Sequence, residues 1–369
     1  MLLKNCTFFN EEFEKEFGDI KIENGIISEI GFFTDSGIDM SGKIILPGFV
    51  DIHIHGGGGG DFSDGNSDAF DKISAHLAKH GVTSFCGTTM TLPHEKLLDI
   101  VKAADGYTAP KSKLAGINLE GPYIALSKKG AQNGDYVRPC SIAELDELLS
   151  ANSNIKLITV APEASDSAEF IQHASKKIAV SIGHSEADEN QCRIAIANGV
   201  SHATHLFNAM TAMTHRSAGI VGAALDSDVT CELICDGAHI CPAVLRNAFK
   251  ILGENRACVI SDSMRAAGLG TGEFELGGQT VYVKENDCVA RLNDGTIAAS
   301  ITNLFDEFKN LLAFGVDLKT ALKSCTINPA RVIGEDKNIG SIAVGKCADL
   351  VVTDENLEIC EVYIDGTLA

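Results

Sequence analysis

The sequence predicts a (β/α)8 barrel of the TIM type, with a small β-sandwich built from the two chain ends. Three observations lead there. From about residue 48 onward, eight short apolar segments of β character alternate with stretches that carry a helical period. Such alternation makes a parallel sheet covered by helices, and eight units within 369 residues fit a closed barrel with insertions. The two ends have a different texture, with short alternating strands around tight turns. A doubly wound open sheet is the alternative that pattern alone leaves open.

Taken in order, the expected barrel strands are Gly48–His55, Val82–Thr89, Ala115–Glu120 and Lys156–Ala161, then Lys177–Gly183, Ser201–Leu206, Val229–Cys235 and Cys258–Ser263. Between them, Asp68–His80, Ile142–Ala151, Asp188–Asn198 and Pro242–Leu252 have the spacing of amphipathic helices. Phe274–Val289 reads as a hairpin inserted after the eighth strand, and helical stretches at Thr302–Leu312 and Leu318–Ile333 follow it. In the first 46 residues, Asn24-Gly25 between alternating apolar runs is a strong hairpin signal. The tail GSIAVGKCADLVVTDENLEICEVYIDG has the same β texture. The expected division is therefore 1–46 with 346–369 as the small β domain, and 47–345 as the barrel.

Composition narrows the function. A 45% hydrophobic content supports a large core, and 36 glycines with few aromatics suit an enzyme rich in tight turns. The formal charge of −20 argues against nucleic acid or an anionic membrane as a partner. Any anionic substrate must then be held by a few local cations. Twelve cysteines are scattered singly with no CxxC pair, which reads as reduced thiols in a cytoplasmic protein. The opening MLLKNCTFFNEEFEKEFGD turns acidic too early for a signal peptide, and no apolar run reaches membrane-spanning length.

In a barrel of this kind, reactive side chains belong at the carboxyl ends of the strands. Strand one ends in His53 and His55, strand three in Glu120, and strand five runs into His184. Strand six carries His205 and strand eight Asp262. In DIHIHG the two histidines share one strand face, about 7 Å apart by the rise per residue, and can chelate one ion. Glu120, His184 and His205 complete a set of nitrogen and oxygen donors suited to a borderline metal. His202, three positions before His205, is expected to face the other way and to be structural. His76, His80, His94 and His173 lie in helical or loop stretches and are expected to be solvated or satisfied locally. Asp262 ends a buried strand, where a carboxylate is paired or functional, and beside a metal it is suited to shuttling a proton.

These residues together resemble the amidohydrolase superfamily, and within it the N-acetylglucosamine-6-phosphate deacetylase family. The resemblance covers nearly the whole chain: PGFVDIHIHG, NLEGPYI with KKGAQ, GHSEAD, THLFNAM with a nearby THR, CDGAH, SDSMRAAGLG, and the tail GSIAVGKCADLVV. It implies that Glu120, His184 and His205 hold a primary divalent metal, and that His53 and His55 hold a second, with Glu120 as the bridge. Zinc, iron and manganese all suit these donors. Some family members lack the histidine pair and use one metal. Asp262 takes the place of the catalytic aspartate, and Asn208, the Ala209 backbone, Arg216 and His239 take places that grip the sugar phosphate. At Gln132 some relatives carry a substrate-facing histidine; glutamine can donate a hydrogen bond but cannot carry a proton. The implied reaction is removal of the acetyl group from N-acetylglucosamine 6-phosphate in a cytoplasmic homodimer, with Arg216 acting in its own or the neighbouring subunit. Two other readings stand beside it: another amidohydrolase of the D-aminoacylase or cyclic amidase type, and a non-catalytic metal barrel that binds a sugar phosphate. The cyclic amidases typically use a carboxylated lysine on a mid-barrel strand, and no strand-end lysine competes with Glu120 here.

Overall fold

The computed structural model describes residues 1–369. Eight parallel strands, Phe49–Ile54, Val82–Thr89, Lys113–Glu120, Ile155–Val160, Ala179–Ile182, His202–Ala203, Thr230–Leu233 and Ala257–Val259, pair in strict chain order. A doubly wound sheet would reverse direction partway, so sequential pairing selects the barrel. The first strand is buried along its whole length, as a parallel strand covered on both faces must be. Val50 and Ile52 pack with Ala330 and Ile333 of the closing helices. Asp51, His53 and His55 alternate with them and take the opposite face.

The seam between the last and first strands is closed above the ladders by the chain that follows each. Asp262 N–H donates to His53 O (3.0 Å), and the N–H groups of His55 and Gly56 donate to Ser263 O (2.9 and 3.0 Å). The HxH pair and Asp262 are therefore joined directly by backbone bonds. Gly56 permits this approach, because a Cβ there would collide with Gly60 O and the Arg265 backbone.

Helices start where the sequence offers caps. Asn66 accepts from Ala69 N (3.0 Å) ahead of Ser67–Lys79, and Ser141 accepts from Glu144 N (3.2 Å) ahead of Ile142–Ala151. Asp188 and Gln191 form a capping box at Glu189–Ala197. The expected hairpin after strand eight is present as Gly272–Leu276 and Gln279–Val283, and two more strands, Val289–Arg291 and Ile297–Ser300, extend it into a four-stranded antiparallel sheet. The two chain ends meet in one eight-stranded sheet in which Leu350–Thr353 pairs antiparallel with Ile44–Pro47. A 13-residue apolar cluster drawn from both ends, including Phe8, Ile45 and Val352, forms its core. At the Asn24-Gly25 turn both residues have positive φ (51° and 81°), as a type I′ turn requires.

The largest core, of 73 buried residues, lies between barrel and helices. Phe49 is fully buried there and meets Phe305 and Phe308 edge-on, with ring centroids 5.2 and 5.4 Å apart. Truncating it leaves a cavity that neighbouring rings cannot fill. Phe49→Ala should cost about 3–5 kcal/mol of stability and Phe49→Leu much less, read from urea unfolding midpoints.

Candidate metal centre

Two groups of potential ligands share one carboxylate: His53, His55 and Glu120, and Glu120, His184 and His205. All five are buried. Glu120 Oε1 lies 3.0 Å from both His184 Nε2 and His205 Nε2, and 3.5 Å from His53 Nε2. Its Oε2 lies 3.2 Å from His55 Nε2. Asp262 Oδ1 approaches the same region, 3.4 Å from His55 Nε2 and 3.7 Å from His53 Nε2.

The imidazoles are oriented from behind. His55 Nδ1 faces the Thr88 carbonyl at 3.3 Å and His184 Nδ1 the Lys128 carbonyl at 2.8 Å. A carbonyl only accepts, so both rings carry a proton on Nδ1, which leaves Nε2 as the nitrogen turned toward Glu120. The Nε2 atoms of His184 and His205 are only 3.0 Å apart, and His53 Nε2 is buried with no hydrogen-bond partner. Nitrogens crowded around a buried carboxylate call for positive charge among them. This donor set fits a divalent metal, and the nitrogen and oxygen mix suits a borderline ion.

The electrostatics of the polypeptide favour positive charge on these rings. Burial alone would push Glu120 up, yet His53 and His184 beside it hold it well below the usual carboxylate range. Burial likewise lowers His55, but Asp262 and Glu120 outweigh it and raise it to about 10. Asp262 feels burial upward and the pull of His55 and His53 downward, and the balance keeps it below its ordinary value.

The strand plan placed His205 and Asp262 within strands six and eight. In the structure those strands stop at Ala203 and Val259, and His184, His205 and Asp262 all sit just beyond strand ends. Each adopts a left-handed backbone, with φ of 47°, 27° and 46°. Residues other than glycine rarely hold this conformation, and it clusters where a site demands a particular side-chain direction. His202, buried, bonds Glu232 and Thr230 behind the centre. His94 and His173 pair with Glu147 and Asp146 at 2.8 Å.

A cavity of about 410 Å³ opens over the centre. It brings together Gln132, Asn208, Ala209 and His239 with His55, Glu120, His184, His205 and Asp262. Gln132 is engaged at both ends: Thr91 N–H donates to its Oε1 (2.6 Å) and its Nε2 donates to Glu120 Oε2. His239 Nδ1 is held by Asp236 Oδ2 at 2.6 Å, which leaves Nε2 free. Arg216 lies outside the cavity, on an exposed loop around Thr214–Ser217. Lys128 and the Thr296–Ala298 segment also line the cavity and were missed by the sequence reading. The first is a cation inside the quoted KKGAQ motif; the second belongs to a strand that no apolar alternation announces. A groove of about 540 Å³ beside Ala75, Lys79 and Ile359 lies at the junction with the terminal sheet and is lined by none of the residues of the metal centre.

Because Glu120 belongs to both ligand groups, Glu120→Ala should strip the protein of metal altogether. Elemental analysis after dialysis should find under roughly a tenth of wild-type metal, with the circular dichroism spectrum retained.

The amidohydrolase family model matches residues 44–369. The N-acetylglucosamine-6-phosphate deacetylase of Bacillus subtilis is 34% identical, with 100% of this chain and 97% of the relative covered. The N-acetylgalactosamine-6-phosphate deacetylase of Escherichia coli O157:H7 is 33% identical, with 100% and 99% covered. Among solved structures, a mutant N-acetyl-D-glucosamine-6-phosphate deacetylase from Mycobacterium smegmatis, in complex with N-acetyl-D-glucosamine-6-phosphate, superposes with a TM-score of 0.91 at 30% identity. It covers 100% of this chain and 98% of its own. With the family model spanning its barrel and relatives this similar along its full length, the chain belongs to the amidohydrolase family.

Proposed function

We propose that this protein is a metal-dependent deacetylase that hydrolyses N-acetylglucosamine 6-phosphate to glucosamine 6-phosphate and acetate. The observation that carries the proposal is the buried Glu120 shared by two histidine pairs, with Asp262 at the same cleft. The relatives named for this activity support the choice of substrate. The cyclic amidase reading lacks its lysine, and a pure binding module has no use for Asp262.

Glu120, His184 and His205 would hold one divalent ion, and His53 and His55 with Glu120 a second; zinc, iron and manganese fit equally. Bound there, such an ion lowers the pKa of water from about 15.7 toward about 7 and polarises the acetyl carbonyl. Asp262, at the same cleft, takes a proton from water as its oxygen adds to the acetyl carbon. It then returns that proton to the nitrogen as the C–N bond breaks, releasing the amine and acetate. Gln132 cannot stand in for a protonated histidine, since a neutral amide has no proton to transfer; one of its N–H groups donates to Glu120 and its oxygen accepts from Thr91. Its role in this reading is to steady Glu120 at the cavity wall.

For the rest of the substrate we assign Asn208, the Ala209 backbone and His239 to the sugar phosphate. Arg216 is exposed and outside the cavity of its own chain, and we assign it to the cleft of the neighbouring subunit in a homodimer. The domain boundaries in this reading fall at 46 and 346, with the terminal sheet as the small domain. We place the protein in the cytoplasm, where its unpaired thiols stay reduced.

Acetate release by the metal-loaded protein tests the proposal. Turnover is expected with N-acetylglucosamine 6-phosphate and should collapse for the sugar without its phosphate. N-acetylgalactosamine 6-phosphate, run in parallel, reads the choice at the 4-hydroxyl. No acetate from either phosphate would overturn the assignment. Asp262→Asn should lower kcat by about 10²–10⁴-fold while metal content stays at the wild-type level.

A further inference from the structure

Glu232 lies on the seventh barrel strand, Thr230–Leu233, fully buried and outside the wall of the cavity. No lysine or arginine compensates it. Its partners are two imidazoles and one backbone amide: His53 Nδ1 at 2.9 Å and His205 N–H at 3.0 Å, both on Oε2, and His202 Nε2 at 3.2 Å on Oε1. Its own carbonyl accepts from Leu206 N–H at 2.8 Å. One residue thus holds the ring of a ligand from one histidine pair and the backbone of a ligand from the other.

The proton positions follow from the contacts. A carboxylate accepts only, so His205 N–H and His53 Nδ1–H both donate to Oε2. The opposite arrangement, a protonated carboxyl donating to His53, would put a proton on His53 Nε2. That atom has no acceptor within hydrogen-bond distance; its nearest oxygens, on Glu120 and Asp262, are 3.5 and 3.7 Å away. With Nδ1 engaged by Glu232, His53 Nε2, buried and without a hydrogen-bond partner, is the nitrogen that faces the metal centre. His202 occupies the other carboxylate oxygen, and its Nδ1 meets Thr230 Oγ1 at 2.6 Å. With both oxygens engaged, the carboxylate cannot rotate away from His53.

We propose that Glu232 is a positioning residue that fixes His53 as an Nε2 ligand, and that it thereby makes the second metal site of this chain. The other rings depend on it less. His55 and His184 are oriented by backbone carbonyls, and the ring of His205 is not touched by Glu232. The inference rests on the two-ion reading above, and loss of Glu232 should weaken the two sites unequally.

The test is zinc binding to the full-length protein, by elemental analysis at saturation and chelator competition. Wild type should hold two ions. Glu232→Gln keeps the shape and can still accept from His53 and His205, so it should hold both ions with the weaker Kd raised about 10–100-fold and the tighter one moved less. Glu232→Leu removes the acceptor and orphans three buried donors, so it should leave one ion at a lowered melting temperature with the circular dichroism spectrum retained. If the leucine variant fails to fold, the glutamine variant alone decides. Two ions bound with wild-type affinity in the glutamine variant would overturn the proposal, as would equal weakening of both sites. A wild type that saturates at one ion would remove the two-ion reading as well, a result distinct from variants that match a two-ion wild type.

Discussion

Glu120 is a carboxylate taken out of water at the point where four imidazoles converge, and a buried charge of this kind persists only where it is compensated. Much of the surrounding structure follows from that requirement. His53, His55, His184 and His205 supply the compensation, and each must turn a nitrogen toward the same few cubic ångströms. Gln132 donates one hydrogen bond to Glu120 Oε2 from the cavity side. The rings in turn need partners behind them, which are the Thr88 and Lys128 carbonyls and the Glu232 carboxylate. Removing the shared anion would leave the histidines as mutually repelling ligands with no reason to converge.

The scaffold meets this requirement with backbone geometry as much as with side chains. The seam of the barrel is closed by bonds between the His53–Gly56 segment and the Asp262–Ser263 segment, so the histidine pair and Asp262 share one rigid joint. Left-handed conformations at His184, His205 and Asp262 turn each side chain back toward the axis immediately after its strand ends. The four-stranded sheet inserted after strand eight brings Thr296–Ala298 to the mouth of the same cavity. Catalysis by positioning depends on such stiffness, since a proton shuttle placed an ångström away from its water loses most of its effect.

Much of this was legible in the sequence. The eight strands, their order and the capped helices follow from hydrophobic periods and capping residues, which act over a few positions. The donor residues stood out because HxH, Glu-Gly-Pro, Gly-His-Ser and Ser-Asp-Ser each fall at the end of an apolar run. His202 bonds Glu232 and Thr230 and lies outside both ligand groups, but strand alternation is not the reason: the strand ends at Ala203 and the chain has turned before His205. Glu232, by contrast, read as one acid in a β segment, and its importance depends on His53, 179 positions earlier.

The sequence alone therefore determined the strand and helix alternation, the barrel that eight such units make, and the kinds of atoms presented at the strand ends. These are local matters, governed by side-chain period, caps and turn residues. Tertiary structure alone decided which lone pairs face one another, which nitrogen of each histidine carries the proton, and that Arg216 lies outside its own cavity while Lys128 and Thr296–Ala298 line it. Those outcomes depend on contacts between residues far apart in the chain and on the direction the backbone takes after each strand stops. Neither is encoded in a period, and both are fixed only when the barrel closes.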